Sequence, residues 1–381
     1  MRGDFKATIF SCGCGDSVML EAHRKVVLTD IHYRVARAQD EEDDEAPDFA
    51  SDIRKACLDH HLDIFVSTHP DKDHVAGFCE IFHCGDPADW DADPDDGEPK
   101  IIVDEIWCSP YGADPHYTTD QSKPLTDEIG RRKRLQGTIA GTRAGNRLQI
   151  MDTGSHSTGA IADGFEWRLL APNATEAEVP ETEEGCPPAS SNPTSLVIQW
   201  SITRNWGVNR LLLCGDTSVE VLERLEREVH SKYPERLEWH ILLAPHHCSR
   251  RSIGRVLNGG CVDEEFDESK SALKALGEQL GEGFVIASSR KVVRGGATPP
   301  SWHAKQRYLR ILSRGEAIDD KVTARFKCTG GNSASDKPAH VVFTLSNCGP
   351  SLAATAAPAT IGLGGCNGGS VGGGGGYAEA G

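Results

Sequence analysis

Short apolar runs broken by polar or glycine-containing turns recur along most of this chain. Ala7–Ser11, Val18–Leu20 and Lys25–Asp30 predict three strands, the first two joined through the tight turn Cys12-Gly13-Cys14-Gly15-Asp16-Ser17. Leu62–Ser67 predicts a buried strand, and Val75, Phe78 and Phe82 beyond it fall at helical spacing, so the stretch between them is a strand-to-helix loop. Further strands are expected at Glu105–Cys108, Trp167–Pro172, Leu196–Trp200, Arg210–Cys214, Trp239–Pro245 and Phe284–Ser288. Helical spacing is carried by Ile53, Ala56 and Cys57, by Leu222, Leu225 and Val229, and by Tyr308, Leu309 and Leu312. Ala324–Cys328 and His340–Leu345 are expected to pair as a terminal hairpin. Strands fall into an early and a late group, each followed by helices, which fits two sheets packed face to face with helices outside.

Residues 1–347 are expected to form one domain, with acidic surface inserts at about 40–52 and 86–98. The Gly- and Ala-rich stretch 348–381 reads as a flexible tail, because it cannot bury enough apolar surface to order itself. Gly154–Gly164, with His156, reads as a turn region. No apolar run approaches the roughly 20 residues that cross a bilayer, and the start lacks a signal-peptide pattern, so a soluble cytoplasmic protein with no membrane partner is expected. The thirteen cysteines show neither a CxxC pair nor a zinc-site spacing, which favours reduced thiols, most of them small core residues. A formal net charge of -17 argues against non-specific capture of nucleic acid by the surface as a whole. Any polyanion site must be a local basic rim.

The densest chemistry lies at Thr68-His69-Pro70-Asp71-Lys72-Asp73-His74, where one loop can aim imidazoles and carboxylates at two neighbouring points. Imidazole suits zinc, iron or manganese and carboxylates favour the harder metals, while paired cations are a known hydrolytic device. Read alone, the block is also compatible with a charged helix N-terminus. Asp216 follows the strand Arg210–Cys214, and His246 and His247 follow Trp239–Pro245, so each stands at a strand end.

Together these motifs resemble the metallo-hydrolase domain of ComEC-type DNA-uptake proteins, within the metallo-β-lactamase superfamily. The block is similar to that superfamily's His-x-His-x-Asp-His signature, with Asp71 in place of the second His. Gly13-Cys14-Gly15-Asp16-Ser17 resembles the family's opening Gly-Gln-Gly-Asp-Ser/Ala turn, and Leu28-Thr29-Asp30 its Leu-Ile-Asp, without the Gly that follows there. Asn192 to Val197 with Leu211 to Asp216 resembles Asn-x-x-Ser-Leu-Val, strand, Leu-Leu-x-Gly-Asp, and Pro245 to Ser249 resembles Pro-His-His-Gly-Ser, with Cys248 in place of Gly.

The resemblance implies an αββα sandwich binding one or two divalent ions, zinc or manganese. His69 and Asp71 would hold one, Asp73 and His74 the other with His246 or His247, and Asp216 would bridge them. Asp73, His74 and Asp216 are the expected catalytic residues, with Asp30 as buried support. The usual third His is missing near Asn192, which would complete a metal position or meet substrate. Cys248 would leave a thiol beside the site. Arg250, Arg251 and His303 are candidate substrate contacts. The cluster Arg131-Arg132-Lys133-Arg134 reads either as a phosphate-contacting edge or as the polar face of a helix. The expected activity is a phosphodiesterase or nuclease acting on DNA or another nucleotide substrate. A thioester, lactone or amide hydrolase, or a degenerate metal-binding module, is the alternative.

Overall fold

A computed structural model describes residues 5–33, 47–95, 97–114, 119–178, 192–257, 266–296 and 299–353. The first sheet has eight strands in the order β17-β16-β1-β2-β3-β4-β5-β6, namely Gly349–Leu352, Val341–Ser346, Lys6–Ile9, Val18–Ala22, Lys25–Thr29, His61–Ser67, Ile102–Cys108 and Arg147–Ile150. The second has seven in the order β15-β14-β11-β10-β9-β8-β7, namely Phe326–Cys328, Gln279–Ala287, Trp239–Leu243, Gly207–Leu213, Val197–Arg204, Phe165–Ala171 and Thr158–Ala162. A small ribbon pairs β12 (Gly254–Val256) with β13 (Phe266–Glu268). Both large sheets are mixed: β3 through β6 run parallel, as do β10, β11, β14 and β15.

Alternation along the strands explains the layering, since neighbouring side chains leave opposite faces of a sheet. Val27, Val66, Leu211, Leu213, Ile241 and Leu243 enter the core between the sheets, with Trp107, Trp167 and Trp200. Their neighbours Leu28 and Phe65 face outward onto Ile53, Phe78, Leu125 and Ile129, which belong to helices over the first sheet. Leu212 and Leu242 do the same on the other side, against Leu222, Leu225, Tyr308 and Leu309. Both faces of each sheet are therefore covered, and the architecture is the expected αββα sandwich.

Several expectations are corrected. Ala324–Cys328 and His340–Leu345 do not form a hairpin: β15 pairs parallel with β14 in the second sheet, and β16 pairs antiparallel with β1 in the first. The chain continues past the expected boundary at 347 into β17, which pairs with β16. The rest of the expected tail, from 354, and residues 40–46 of the first acidic insert lie outside the described residues. Strand β7 occupies much of the expected turn region 154–164. Cys79 and Cys84 form a disulfide, so the cysteines are not uniformly reduced, whereas six of the eight free cysteines among the described residues are buried. Among the described residues no helix is long and apolar enough to cross a membrane.

Candidate metal centre

The parallel strands end at one edge of the sandwich, and the motifs sit there. Asp30 follows β3, Thr68 and His69 follow β4, Asp216 follows β10, and His246 and His247 follow β11. Crevices beyond the carboxyl ends of parallel strands are where such sheets hold their ligands. Asp73 and His74 lie on the short helix Lys72–Val75, which opens directly after Asp71.

The turn Pro245–Cys248 is unusual. His246, His247 and Cys248 all have left-handed backbone, with φ of 48°, 52° and 67°, which costs about 1–2 kcal/mol for each such non-glycine residue. The turn is pinned by His246 N–H donating to the Gly215 carbonyl at 2.9 Å. Its effect is to set the two adjacent imidazoles nearly perpendicular, at 87°, so that they serve different points.

Those points are the two oxygens of Asp216. Asp216 Oδ2 lies 3.4 Å from His246 Nε2 and 3.7 Å from His69 Nε2, and His69 Nε2 is 3.7 Å from Asp71 Oδ2. Asp216 Oδ1 lies 3.1 Å from His74 Nε2 and 3.4 Å from His247 Nε2, and His247 Nε2 is 3.2 Å from Asp73 Oδ2. The seven expected ligands thus converge as two groups sharing one carboxylate, with His246 beside His69 and His247 beside His74.

Hydrogen bonds behind the rings orient them. His74 Nδ1 meets Asp30 Oδ2 at 2.8 Å, and His247 Nδ1 donates to the Ser288 carbonyl at 3.1 Å. Thr68 Oγ1 donates to Asp30 Oδ2 at 2.6 Å, which leaves it to accept from His69 Nδ1 at 3.0 Å. Asn192 Nδ2 is 3.4 Å from His246 Nδ1, so Asn192 abuts the back of a ring. In the first three cases Nε2 is left facing the cluster, the arrangement that metal-binding histidines adopt.

Electrostatics of the free protein fit the same picture. Burial alone would push His74 and His247 down, but Asp216, with Asp30 for the former and Asp16 for the latter, outweighs it and holds both well above the usual histidine value. Burial alone would raise Asp216 and Asp73, but the imidazoles beside them outweigh it and hold both carboxyls below the usual range. His74 Nε2 and His247 Nε2 stand only 3.3 Å apart. His69 Nε2 is buried without a hydrogen-bond partner, a state that costs about 1–3 kcal/mol for a polar group. A divalent cation would give His69 Nε2 a partner, and another would separate the close pair His74 Nε2 and His247 Nε2, so the residues present fit such ions.

Not every expected contact joins the cluster. His303 Nε2 is 3.0 Å from Glu268 Oε2, its ring packs on Phe266 at 5.0 Å, and Arg307 shares the same carboxylate, so His303 is turned onto a neighbouring ion pair. The Cys248 thiol is not beside the site: it is buried in the helical layer, 3.8 Å from the Ser301 carbonyl. Arg131 and Arg132 are held by Glu128 and by backbone carbonyls, with Arg132 1% exposed, which makes them a structural clamp between helix Lys123–Leu135 and the first sheet. Arg250 and Arg251 occupy the turn after the paired histidines, Arg250 with its guanidinium 5.8 Å from the Phe266 ring centre and Arg251 exposed.

Asp16 reaches the cluster and His32 packs against the turn that carries it, although neither is among the site residues expected from the sequence. Asp16 is 2% exposed and 3.3 Å from His247 Nδ1. His32 donates from Nδ1 to the Cys12 carbonyl at 2.9 Å, and burial, opposed by Asp73, holds its pKa at about 4.

No family profile matches the chain, and no curated protein matches it. Among solved structures it is similar to a mutant of the CmlA beta-hydroxylase, at 9% identity and a TM-score of 0.39 over 89% of this chain and 54% of that one, so it spans about half of that protein's length. It is also similar to Igni18, a metallo hydrolase from the hyperthermophilic archaeon Ignicoccus hospitalis KIN4/I, at 12% identity and a TM-score of 0.40 over 90% and 100% of the two chains. Tm1679, a metal-dependent hydrolase of the beta-lactamase superfamily, gives 12% identity and a TM-score of 0.38 over 87% and 99%. All three scores lie below 0.5.

Proposed function

We propose that this protein is a metal-dependent hydrolase of the metallo-β-lactamase kind that cleaves phosphodiester bonds in DNA or another nucleotide substrate. The observation that carries the hydrolase reading is Asp216, whose two oxygens each face a separate pair of imidazoles within 3.7 Å. His69, Asp71 and His246 would hold one divalent cation, and Asp73, His74 and His247 the other. When bound, such cations ionise water near neutral pH and offset charge that develops on the oxygens of the reacting group.

The chain's own groups supply orientation and charge. Asp30 keeps the His74 proton on Nδ1, Ser288 does the same for His247, and Asn192 braces His246. Arg250 and Arg251 directly continue the histidine turn, and planar guanidinium forks suit phosphate oxygens. That adjacency, together with the ComEC-like motifs, favours a phosphodiester over an uncharged ester or amide.

The test is a metal-dependence screen with zinc, manganese and magnesium against single-stranded DNA, duplex DNA, RNA and cyclic dinucleotides. Cleavage of at least one, lost in Asp73→Ala and sharply reduced in Arg250→Glu/Arg251→Glu, is the expected result. Inertness toward all four, or ester hydrolysis that survives the charge reversal, would replace the phosphodiester reading.

A further inference from the structure

Asp16 is a buried carboxylate that the hydrogen bonds of the protein leave unsatisfied. Its Oδ1 has no hydrogen-bond partner. His247 Nδ1 lies 3.3 Å away, yet the single proton on that nitrogen is already accepted by the Ser288 carbonyl at 3.1 Å. A carboxylate buried in this way is costly unless a cation or several donors compensate it.

The turn that carries Asp16 is pressed onto the metal loop and fixed there. Asp16 N–H donates to the Asp73 carbonyl at 3.1 Å, and Ser288 Oγ donates to the Gly15 carbonyl at 2.6 Å. His32 closes the turn from the other side by its bond to Cys12. Gly15 has no room for a side chain, because a Cβ there would stand 2.4 Å from His32 Nδ1 and 2.7 Å from the Asp73 carbonyl. Ligand atoms of Asp16, His74, Asp216 and His247 consequently lie within 4.8 Å of one another, and all four residues are buried.

We infer that Asp16 is a further ligand of the cation position formed by Asp73, His74, His247 and Asp216, and that this position selects manganese over zinc. The inference rests on the metal-dependent reading of the site. Asp16 raises the carboxylates around that position to three, against two imidazoles, whereas the position formed by His69, Asp71, His246 and Asp216 has two of each. Carboxylate oxygen suits manganese and magnesium, and imidazole suits zinc. The two positions therefore differ in hardness, and the difference comes from the β1–β2 turn.

The test is metal titration of the full chain with Mn2+ and Zn2+, read by equilibrium dialysis with elemental analysis and by the electron paramagnetic resonance of bound Mn2+. Wild type is expected to bind two Mn2+. Asp16→Asn should weaken one of them by on the order of 10–100-fold, leave the other unchanged, and shift that position toward zinc. Unchanged binding of both ions by Asp16→Asn overturns the role of Asp16 while leaving the hydrolase reading intact, and wild type that binds neither metal overturns both. Should Asp16→Asn fail to fold, a crystal structure of wild type grown with Mn2+ decides: an Asp16 oxygen bonded to a manganese ion supports the inference, and an Asp16 side chain bonded to none overturns it.

Discussion

His74 and Asp30 are joined by a 2.8 Å hydrogen bond from His74 Nδ1 to Asp30 Oδ2, across 44 positions of chain. Asp30 is fully buried and also accepts from Thr68 N–H at 2.7 Å and Thr68 Oγ1 at 2.6 Å, so three donors converge on one carboxylate. An amide at this position offers one acceptor oxygen where three donors need two. Asp30→Asn is expected to weaken metal binding about 10–100-fold through misorientation of His74 and His69. Asp30→Ala strands all three donors and should cost about 3 kcal/mol or more of folding stability. Dialysis with elemental analysis measures the first and denaturant unfolding the second; a substitution silent in both would remove Asp30 from the site.

Chelation makes a separate prediction. A ligand that binds only the folded state at about 100 times its dissociation constant adds about 2.7 kcal/mol of stability. The melting temperature of metal-loaded protein should therefore fall by several degrees on treatment with a chelator and recover when the ion is restored. Asp216→Asn, which removes the negative charge shared by both groups of ligands, should melt at one temperature with or without chelator. A wild type whose melting is indifferent to chelator contradicts the convergence of these side chains on a cation.

Much of this site was legible in the chain because its ligands follow apolar strands: His69 after β4, Asp216 after β10, and His246 and His247 after β11. An apolar run that stops at a polar pair marks a strand end, and parallel strand ends collect at one edge. Asp16 stood in a turn that resembled the family's opening motif but followed no apolar strand to an obvious end, so the chain marked the turn without marking its carboxylate as part of the cluster, which its 3.3 Å distance to His247 shows. His303 misled for the opposite reason. A histidine near the start of a basic helix looks available, whereas Glu268, 35 positions away, claims it. The misassigned hairpin shows the same limit in the fold: apolar alternation states which face of β15 and β16 is buried but not which strand each will pair with.

The pairing of Glu223 with Arg255 predicts a pH dependence remote from the site. Glu223 accepts from Arg255 Nη1 at 2.9 Å and Nη2 at 2.6 Å, and from Ser269 Oγ at 2.7 Å, tying the helix Val219–Leu225 to β12 and to the next helix cap. The bonds from Arg255, against a smaller opposing effect of burial, lower the Glu223 pKa from 4.5 to about 2. A depressed carboxyl contributes stability above its unfolded value of 4.5 and loses it as pH falls toward 2. Because Arg255 is 40% exposed, solvent screening reduces the contribution to about 1 kcal/mol. Glu223→Gln should thus be less stable than wild type at neutral pH by that amount, and the two unfolding curves should converge between those two pH values. A difference that persists unchanged to the lower one assigns the effect to packing instead.

Cys248 tests the strained turn. Its φ of 67° is one that glycine adopts freely, while its side chain is fully buried in the helical layer. Cys248→Gly relieves about 1–2 kcal/mol of left-handed strain but forfeits a buried side chain of comparable worth. The two nearly offset, so stability should stay within about 1 kcal/mol of wild type. Cys248→Val keeps the apolar volume but places a β-branched side chain at positive φ, and should cost about 2 kcal/mol or more. It should also weaken metal binding, since the same turn sets the angle between His246 and His247. Unfolding midpoints and metal titration of the two variants check this order, and a valine variant as stable and as metal-competent as the glycine variant would show that the turn tolerates other backbone conformations without losing the histidine geometry.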